Sequence, residues 1–223
     1  RGGFTPSPAV NYLELFPFID SLWYGEGFDY EKSSASYWLV EISGVPHGLS
    51  ADLLRYKGKT PAHFKGMAFG NANRWQGPFT GSFSPGQSPF SPLAVWRLWD
   101  DFGIGEAVMH GWWLERERGN GSVPVVSSRD GVKVTSYVRH GVATLLAVAS
   151  FEQVDANVTL RINWTALGLH DGLPLVAPQL PPLQNATRFA AGATLHVPAG
   201  QGWLLLLGNT SGIRGVEVAG GSG

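Results

Sequence analysis

Cysteine is absent from the 223 residues, and charged residues make up only 15% of the chain. Without thiols the protein can hold neither a disulfide bond nor a thiolate metal site. The formal net charge of −1 provides no basic field that would attract nucleic acid or an anionic membrane surface. No apolar run approaches the roughly 18 residues that span a bilayer. The sequence therefore predicts neither a nucleic-acid partner nor a membrane partner.

The N-terminus and the glycosylation pattern bear on the compartment. The chain begins with Arg1 and shows neither an initiator methionine nor a signal peptide, so we expect processing or truncation upstream. Five asparagines stand in the pattern Asn-x-Ser/Thr, against about one expected by chance. These asparagines are Asn120, Asn157, Asn163, Asn185 and Asn209. The same residue types also share β-turns, but the excess favours a glycosylated protein that is secreted or lumenal.

The first half of the chain alternates helix and strand signals. Such alternation is typical of parallel strands joined by helical crossovers. The predicted order is a short helix capped by Asn11, a buried strand at 21–25, a helix at 37–42 capped by Ser34 or Ser36, one or two helical turns at 49–56, a buried strand at 64–70 and a helix at 93–102. Two strands cannot make a stable sheet alone. We therefore expect residues 1–105 to be the last βα units of a (β/α)8-type barrel whose earlier strands are missing.

The second half changes to short strands with an alternating pattern. The predicted strands are 107–113, 132–138, 142–151, 156–162, 193–197 and 202–208. Alternation of apolar and polar residues indicates half-buried antiparallel strands. The sequence predicts an all-β sandwich at 106–214 that folds without residues 1–105, followed by a disordered tail at 215–223. The fold class is thus α/β followed by all-β.

Two burial patterns follow from this division of the chain. The sandwich should bury six side chains between its two sheets, namely Val134, Leu145, Ala147, Leu160, Leu195 and Leu205. The incomplete first domain should leave apolar faces uncovered around Leu22, Phe64 and Phe69, because such patches mark a missing partner.

Glu26 is the sharpest candidate for a catalytic group. It follows the first predicted buried strand, and the carboxyl ends of parallel strands are where chemistry is done. Aromatic neighbours such as Trp23 and Tyr24 would desolvate its carboxyl group and raise its pKa, which suits a general acid. The alternative is that Glu26 caps a loop or pairs with Arg74. Both alternatives remain open at this point.

The candidate substrate-binding residues surround the two predicted strand tips. They are Trp23, Tyr24, Asp29, Asn71, Asn73, Arg74 and Trp75. Aromatic rings stack on the apolar faces of sugars, and amides and guanidinium groups donate to hydroxyls. Asp29 is a candidate second carboxylate for glycoside chemistry, although an Asp in such a loop more often forms an Asx-turn. Asn71, Asn73 and Arg74 have the alternative of tying down their own loop.

No metal or cofactor is predicted, because His47 and His63 lack a partner at metal-ligand spacing. In the predicted barrel, residues after Gly25 and Gly70 open onto one mouth. We expect the two strands to be neighbours about 4.8 Å apart, so that side chains from both tips contact a single sugar ring.

Four segments resemble the C-terminal portion of glycoside hydrolase 123-like proteins. They are LWYGEGFDY at 22–30, YWLVEISGVP at 37–46, KGMAFGNANR at 65–74 and LWDDFGI at 98–104. The resemblance covers residues 11–208 and implies a (β/α)8 barrel followed by a β-sandwich. It also implies a carbohydrate substrate, with N-acetylhexosamines cleaved by help from their own acetamido group.

The resemblance leaves two hypotheses about the function. Characterised enzymes of this type use an adjacent Asp-Glu pair, and that dipeptide does not occur in the chain. The first hypothesis is the C-terminal fragment of a secreted glycoside hydrolase, whose acidic pair lies upstream. The alternative is a non-catalytic carbohydrate-binding or structural protein.

Overall fold

The first part of the chain forms helices around a small parallel sheet. The computed structural model describes residues 9–22, 28–53, 61–73, 93–114 and 123–216. The strands are β1 (Ser21–Leu22), β2 (Ser50–Leu53) and β3 (Ala72–Asn73). The α-helices are α1 (Ala35–Glu41), α2 (Pro61–Met67) and α3 (Leu93–Phe102), and 3-10 helices span Ala9–Phe18, Val45–His47 and Ile104–Glu106.

Local capping explains where several of these helices begin and end. Ser34 precedes α1, and its hydroxyl oxygen accepts a hydrogen bond from the Tyr37 backbone N–H, as an N-cap should. Gly103 ends α3 with a φ of 72°, a conformation that glycine adopts without steric cost. The predicted bounds of α3 and the choice of Ser34 are confirmed. The predicted cap Asn11 is wrong, because it lies inside the first 3-10 helix.

Two predicted elements between residues 49 and 70 are wrong. Residues 50–53 form strand β2 rather than helical turns, and most of the predicted strand 64–70 is helix α2 followed by a turn. Phe64, Met67 and Ala68 have helical i, i+3, i+4 spacing, but Lys65 and Phe69 are buried as well. A short segment that is buried on all sides has no visible period, so its sequence does not distinguish helix from strand.

The second part is all-β, as predicted. Its strands are β4 (Val108–His110), β5 (Val125–Ser127), β6 (Val132–Arg139), β7 (Ala143–Ser150), β8 (Ala156–Val158), β9 (Leu160–Ile162), β10 (Leu175–Ala177), β11 (Thr187–Phe189), β12 (Leu195–Val197) and β13 (Gly202–Gly208). Six of them form an antiparallel sheet in the order β11-β10-β13-β7-β6-β4, while β5 pairs with β9 and β8 with β12. One short helix, α4 (Trp164–Leu167), follows β9.

The six-stranded sheet is buried on both faces. Along β7, Leu146 and Val148 belong to the core that the sheet shares with β5, β8, β9 and β12. Leu145, Ala147 and Ala149 point the other way and pack in the core that contains α1, α2 and α3. The predicted placement of Leu145 and Ala147 between two sheets is therefore wrong, because alternate residues of a strand face opposite sides. The other four predicted core residues lie in the sandwich core: Val134, Leu160, Leu195 and Leu205.

A close backbone approach brings helix α2 onto this sheet. Gly202 lies at the start of β13, opposite Ala149 of β7. A Cβ atom at this position would collide with the Val148 carbonyl oxygen and lie 2.8 Å from the Phe64 Cβ. Only glycine leaves room for the buried Phe64 ring at this contact.

Sandwich side chains also cap the ends of helices α2 and α3. The hydroxyls of Tyr137 and Thr135 donate to the carbonyls of Met67 and Ala68, each at 2.6 Å. The Arg139 guanidinium donates to the Phe102 carbonyl at 2.8 Å. The last carbonyls of a helix have no partner within it, so the sandwich satisfies groups that the helices leave open. The two parts are joined by polar contacts as well as by apolar packing.

Phe69 lies at the centre of the core between helices α1 to α3 and the six-stranded sheet, which we call the shared core. Its ring stacks with Trp38 at 5.8 Å and with Trp113 at 6.0 Å between centroids. It also meets Trp112 and Phe151 edge-on, at 5.9 and 6.0 Å. The expectation of uncovered faces at Leu22, Phe64 and Phe69 is wrong, because the sandwich covers the two phenylalanines and all three side chains are at most 2% exposed.

Exposed apolar side chains occur instead on the first 3-10 helix. Leu13 and Leu15 are 48% and 49% exposed, and Phe18 is 84% exposed. At the other end of the chain, Gly215 and Val216 are part of the fold, although the sequence places them in a disordered tail. The Gln179 N–H donates to the Gly215 carbonyl at 2.8 Å, and Val216 packs on the shared core. The rest of the predicted tail, 217–223, lies outside the described residues.

We expect Tyr137→Phe to lower the free energy of unfolding by about 0.5–1.5 kcal/mol, because the buried Met67 carbonyl loses one of its two donors and keeps only the Gly70 N–H at 3.2 Å. Burial of the Tyr137 hydroxyl also raises its pKa, so it remains a donor at neutral pH. Urea unfolding of the whole chain measures the change. Tyr37→Phe is the matched control, because Tyr37 is 41% exposed. Equal effects of the two substitutions would contradict a capping role for Tyr137.

Candidate active site

Three parallel strands end at one edge of the small sheet. β1 pairs with β2 and β2 with β3, all in the same direction. Leu22, Leu53 and Asn73 are the last residues of these strands, so the three described strand ends lie at the same edge. Five of the predicted site residues stand in those following segments and lie outside the described residues: Trp23, Tyr24, Glu26, Arg74 and Trp75.

The strands that lead to these residues are not neighbours. β2 lies between β1 and β3, whereas the sequence predicted two adjacent strands. With a spacing of about 4.8 Å per strand, the ends of β1 and β3 are about 10 Å apart. A ligand that contacts residues following both strands must therefore cross the end of β2.

Asp29 lies just after the segment that carries Glu26. Its Oδ1 accepts hydrogen bonds from the backbone N–H groups of Glu31 and Lys32, both at 3.0 Å. The Lys32 N–H is the main cause that holds the pKa of the Asp29 carboxyl below its ordinary value. This geometry favours the Asx-turn that the sequence left open as the alternative to a second catalytic carboxylate.

A buried lysine fixes the chain immediately beyond Asp29. The Lys65 ammonium group on α2 donates to the carbonyls of Tyr30 and Glu31 at 3.2 and 3.0 Å. It lies 5.0 Å from the centre of the Phe151 ring, close enough for a cation–π interaction. Gln153 of the sandwich donates to the same Glu31 carbonyl at 3.2 Å. The backbone at Tyr30 and Glu31 is thus held by both α2 and the sandwich.

Asn71 and Asn73 flank the start of β3. Asn71 is 3% exposed, and its amide, oriented to donate, reaches the carbonyls of Ser43 at 3.2 Å and Phe69 at 3.3 Å. These contacts favour the alternative in which Asn71 ties down its own loop. Asn73 is the last residue of β3, paired with Leu53 of β2, and its side chain lies outside what the structure describes.

Family models match both parts of the chain. The model described as "Glycoside hydrolase 123, C-terminal domain" matches residues 91–208, which is more than half of the chain. This chain belongs to the glycoside hydrolase 123 family. The model described as "Glycoside hydrolase 123, TIM-barrel domain" matches residues 1–76. A comparison with curated proteins found no match.

The two family models divide this glycoside hydrolase 123 chain into a TIM-barrel part and a C-terminal part. The TIM-barrel match contains β1, β2 and β3 together with the segment that carries Glu26. The C-terminal match begins before α3, so that helix belongs to the same family unit as the sandwich strands. The family confirms the resemblance seen in the sequence, and it indicates a carbohydrate substrate.

One carboxylate at the strand edge was missed by the sequence analysis. Asp52 is exposed and stands one residue before the end of β2, between β1 and β3. It faces away from Ala51, which is buried with Leu22 and Phe16. The signal was the alternation of Leu49 and Ala51 with Ser50 and Asp52, which is a strand pattern. Asp52 therefore joins the candidate site residues.

Two kinds of feature are absent from the described residues. Within that part of the chain, no group of three His, Asp or Glu side chains is arranged to hold a metal ion. No helix among the described residues is long and apolar enough to cross a membrane.

Proposed function

We propose that the protein is a carbohydrate-active protein of the glycoside hydrolase type, acting on O-glycosidic bonds at the carboxyl edge of β1, β2 and β3. The observation that carries this proposal is the agreement between the family match and the parallel pairing of these strands. In TIM-barrel enzymes the residues that follow the strands form the active site. We take β1 to β3 as the last βα units of such a barrel.

The proposed roles follow from the side-chain chemistry. Glu26 is the proposed catalytic acid, and glycoside hydrolysis also needs a second carboxylate. Asp52 is a carboxylate that the structure places at this edge. The proposed substrate-binding residues are Trp23, Tyr24, Asn73, Arg74 and Trp75, while the contacts of Asp29 and Asn71 favour structural roles for these two.

A missing N-terminal barrel segment is part of the proposal. A TIM barrel has eight parallel strands, and β1, β2 and β3 form a sheet of three among the described residues. Leu13, Leu15 and Phe18 provide an exposed apolar surface beside this sheet. Exposed apolar patches of this kind mark contacts with a partner.

A non-catalytic carbohydrate-binding or structural protein is the second candidate. The observation that favours it is the absence of an adjacent Asp-Glu dipeptide from all 223 residues. The two candidates differ in a direct assay, because a binding protein retains sugar without releasing product.

We expect Glu26→Gln to lower turnover about a hundredfold or more, because a general acid contributes roughly 10²–10⁴-fold. Release of the aglycone from aryl N-acetylhexosaminides by the full-length protein, which includes the proposed upstream barrel segment, measures the change. Glu14→Gln is the matched control, because Glu14 is exposed on the first 3-10 helix. Wild-type kinetics in Glu26→Gln would remove Glu26 from the catalytic site, and an absence of turnover in the unmodified full-length protein would favour the binding alternative.

Secretion and glycosylation also belong to the proposal. Four of the five sequon asparagines lie in the described residues, and all four are exposed: Asn157, Asn163, Asn185 and Asn209. We expect expression through a eukaryotic secretory pathway to add glycans at one or more of them. Intact mass before and after enzymatic deglycosylation tests this, and an unchanged mass would contradict it.

A further inference from the structure

A second polar groove lies on the sandwich, remote from the parallel strands. Its volume is about 460 Å³, within the usual range for small-molecule sites. It is formed by β5, β9, the start of α4 and the loop beyond it. The lining residues are Val123, Pro124, Val126, Arg161, Ile162, Asn163, Trp164, Thr165 and Asp171. Helices α1, α2 and α3 pack on the opposite face of the six-stranded sheet, so the sandwich core separates the groove from the candidate active site.

The strand pairing places the groove residues. Along β9, Leu160 is buried in the sandwich core while Arg161 is exposed. Arg161 stands opposite Val126 of β5 in an antiparallel register. Adjacent residues of a strand face opposite sides, so the register that buries Leu160 directs Arg161 outward into the groove.

Trp164 supplies an aromatic wall whose position is fixed. The residue before it, Asn163, caps α4 by accepting a hydrogen bond from the Ala166 N–H at 3.1 Å. Trp164 is partly buried and packs against the sandwich core while it lines the groove. The ring therefore offers a surface that needs little ordering when a ligand binds.

The groove holds one positive and one negative side chain that are not neutralised by protein partners. Elsewhere on the sandwich, Arg129 pairs with Glu152 and Lys133 with Asp130, both at 2.7 Å. Within the described part of the chain, Arg161 and Asp171 make no ion pair and no side-chain hydrogen bond. Their charges cancel in sum, which favours a ligand that is polar and uncharged.

We propose that this groove is an accessory binding site for neutral saccharides, separate from the site of hydrolysis. A pyranose ring has an apolar C–H face, which stacks on an indole. Its hydroxyls donate to a carboxylate and accept from a guanidinium group. The choice of a sugar over other uncharged polyols rests on the proposed function of the chain. Such a site would hold the protein on a glycan while another part of that glycan is cleaved.

The test uses the whole chain and isothermal titration with neutral trisaccharides of glucose, galactose, N-acetylglucosamine and N-acetylgalactosamine. We expect at least one to bind. Arg161→Gln and Asp171→Asn should each weaken that binding about tenfold or more, since each removes hydrogen bonds to a charged group. Trp164→Phe should weaken it less, because an aromatic face remains. Arg188→Gln is the matched control, an exposed arginine on β11 away from the groove.

The outcomes separate this proposal from the proposed hydrolysis. Undiminished binding in Arg161→Gln and Asp171→Asn would overturn the proposed groove site. An absence of binding for all of the trisaccharides would overturn it as well. Binding that is lost only in Glu26→Gln would assign the sugar to the strand edge and also overturn it. Groove binding in a full-length protein that releases no product would support the proposed groove site and reject the hydrolase.

Discussion

Residues 106–214, separated from residues 1–105, are expected to lose the cooperative thermal transition and to self-associate. The separation would expose the sheet face that includes Leu145, Leu204 and Leu206, each 0% exposed in the whole chain. Burial of a leucine side chain contributes about 1.5–3 kcal/mol, so the three contribute on the order of 5–9 kcal/mol. Folded domains are stable by only about 5–15 kcal/mol in total.

Thermal unfolding and size-exclusion chromatography of the two forms measure this effect. Co-expression of residues 1–105 with residues 106–214 is the control, since the helices should restore the covered face and a soluble complex. A monomeric 106–214 segment that unfolds cooperatively at the temperature of the whole chain would contradict the shared core. It would instead support the independent sandwich that the sequence predicted.

Phe69→Ala is expected to lower the free energy of unfolding by about 3–5 kcal/mol. The ring is 2% exposed and contacts four aromatic side chains from both parts of the chain. The loss of these edge and stacking contacts adds to the cost of the cavity.

Phe18→Ala removes the same atoms from a ring that is 84% exposed, so we expect a change within about 0.5 kcal/mol. Chemical denaturation of both variants gives the two values under matched conditions. A small effect at Phe69 would contradict its central place in the shared core. A large effect at Phe18 would show that this side chain is covered in solution.

Much of the fold could be predicted from local signals. Ser34 and Gly103 mark helix ends because their chemistry acts within a few residues. Strands β8 and β12 show period-two burial, because one face of each is exposed. β7 is buried along its whole length, and its sequence therefore carries no sign of which face Leu145 occupies.

Other features depend on contacts between distant residues. Helix α2 was taken for a strand because its neighbours bury every side of it. Gly202 makes a close approach to Phe64, which lies far away in the sequence, so no local signal identifies this contact. Asn71 and Asp29 looked like ligands by residue type, whereas backbone groups in the fold engage both. The carboxyl edge itself was predictable, because it follows from parallel strands.

The most direct test of the proposed site is a crystal structure of the chain soaked with N-acetylglucosamine or N-acetylgalactosamine. We expect sugar density at the carboxyl edge of β1, β2 and β3, in contact with residues that follow Leu22 and Asn73 and close to Asp52. Sugar density confined to the opposite end of these strands, with Glu26 remote from it, would contradict the proposed site.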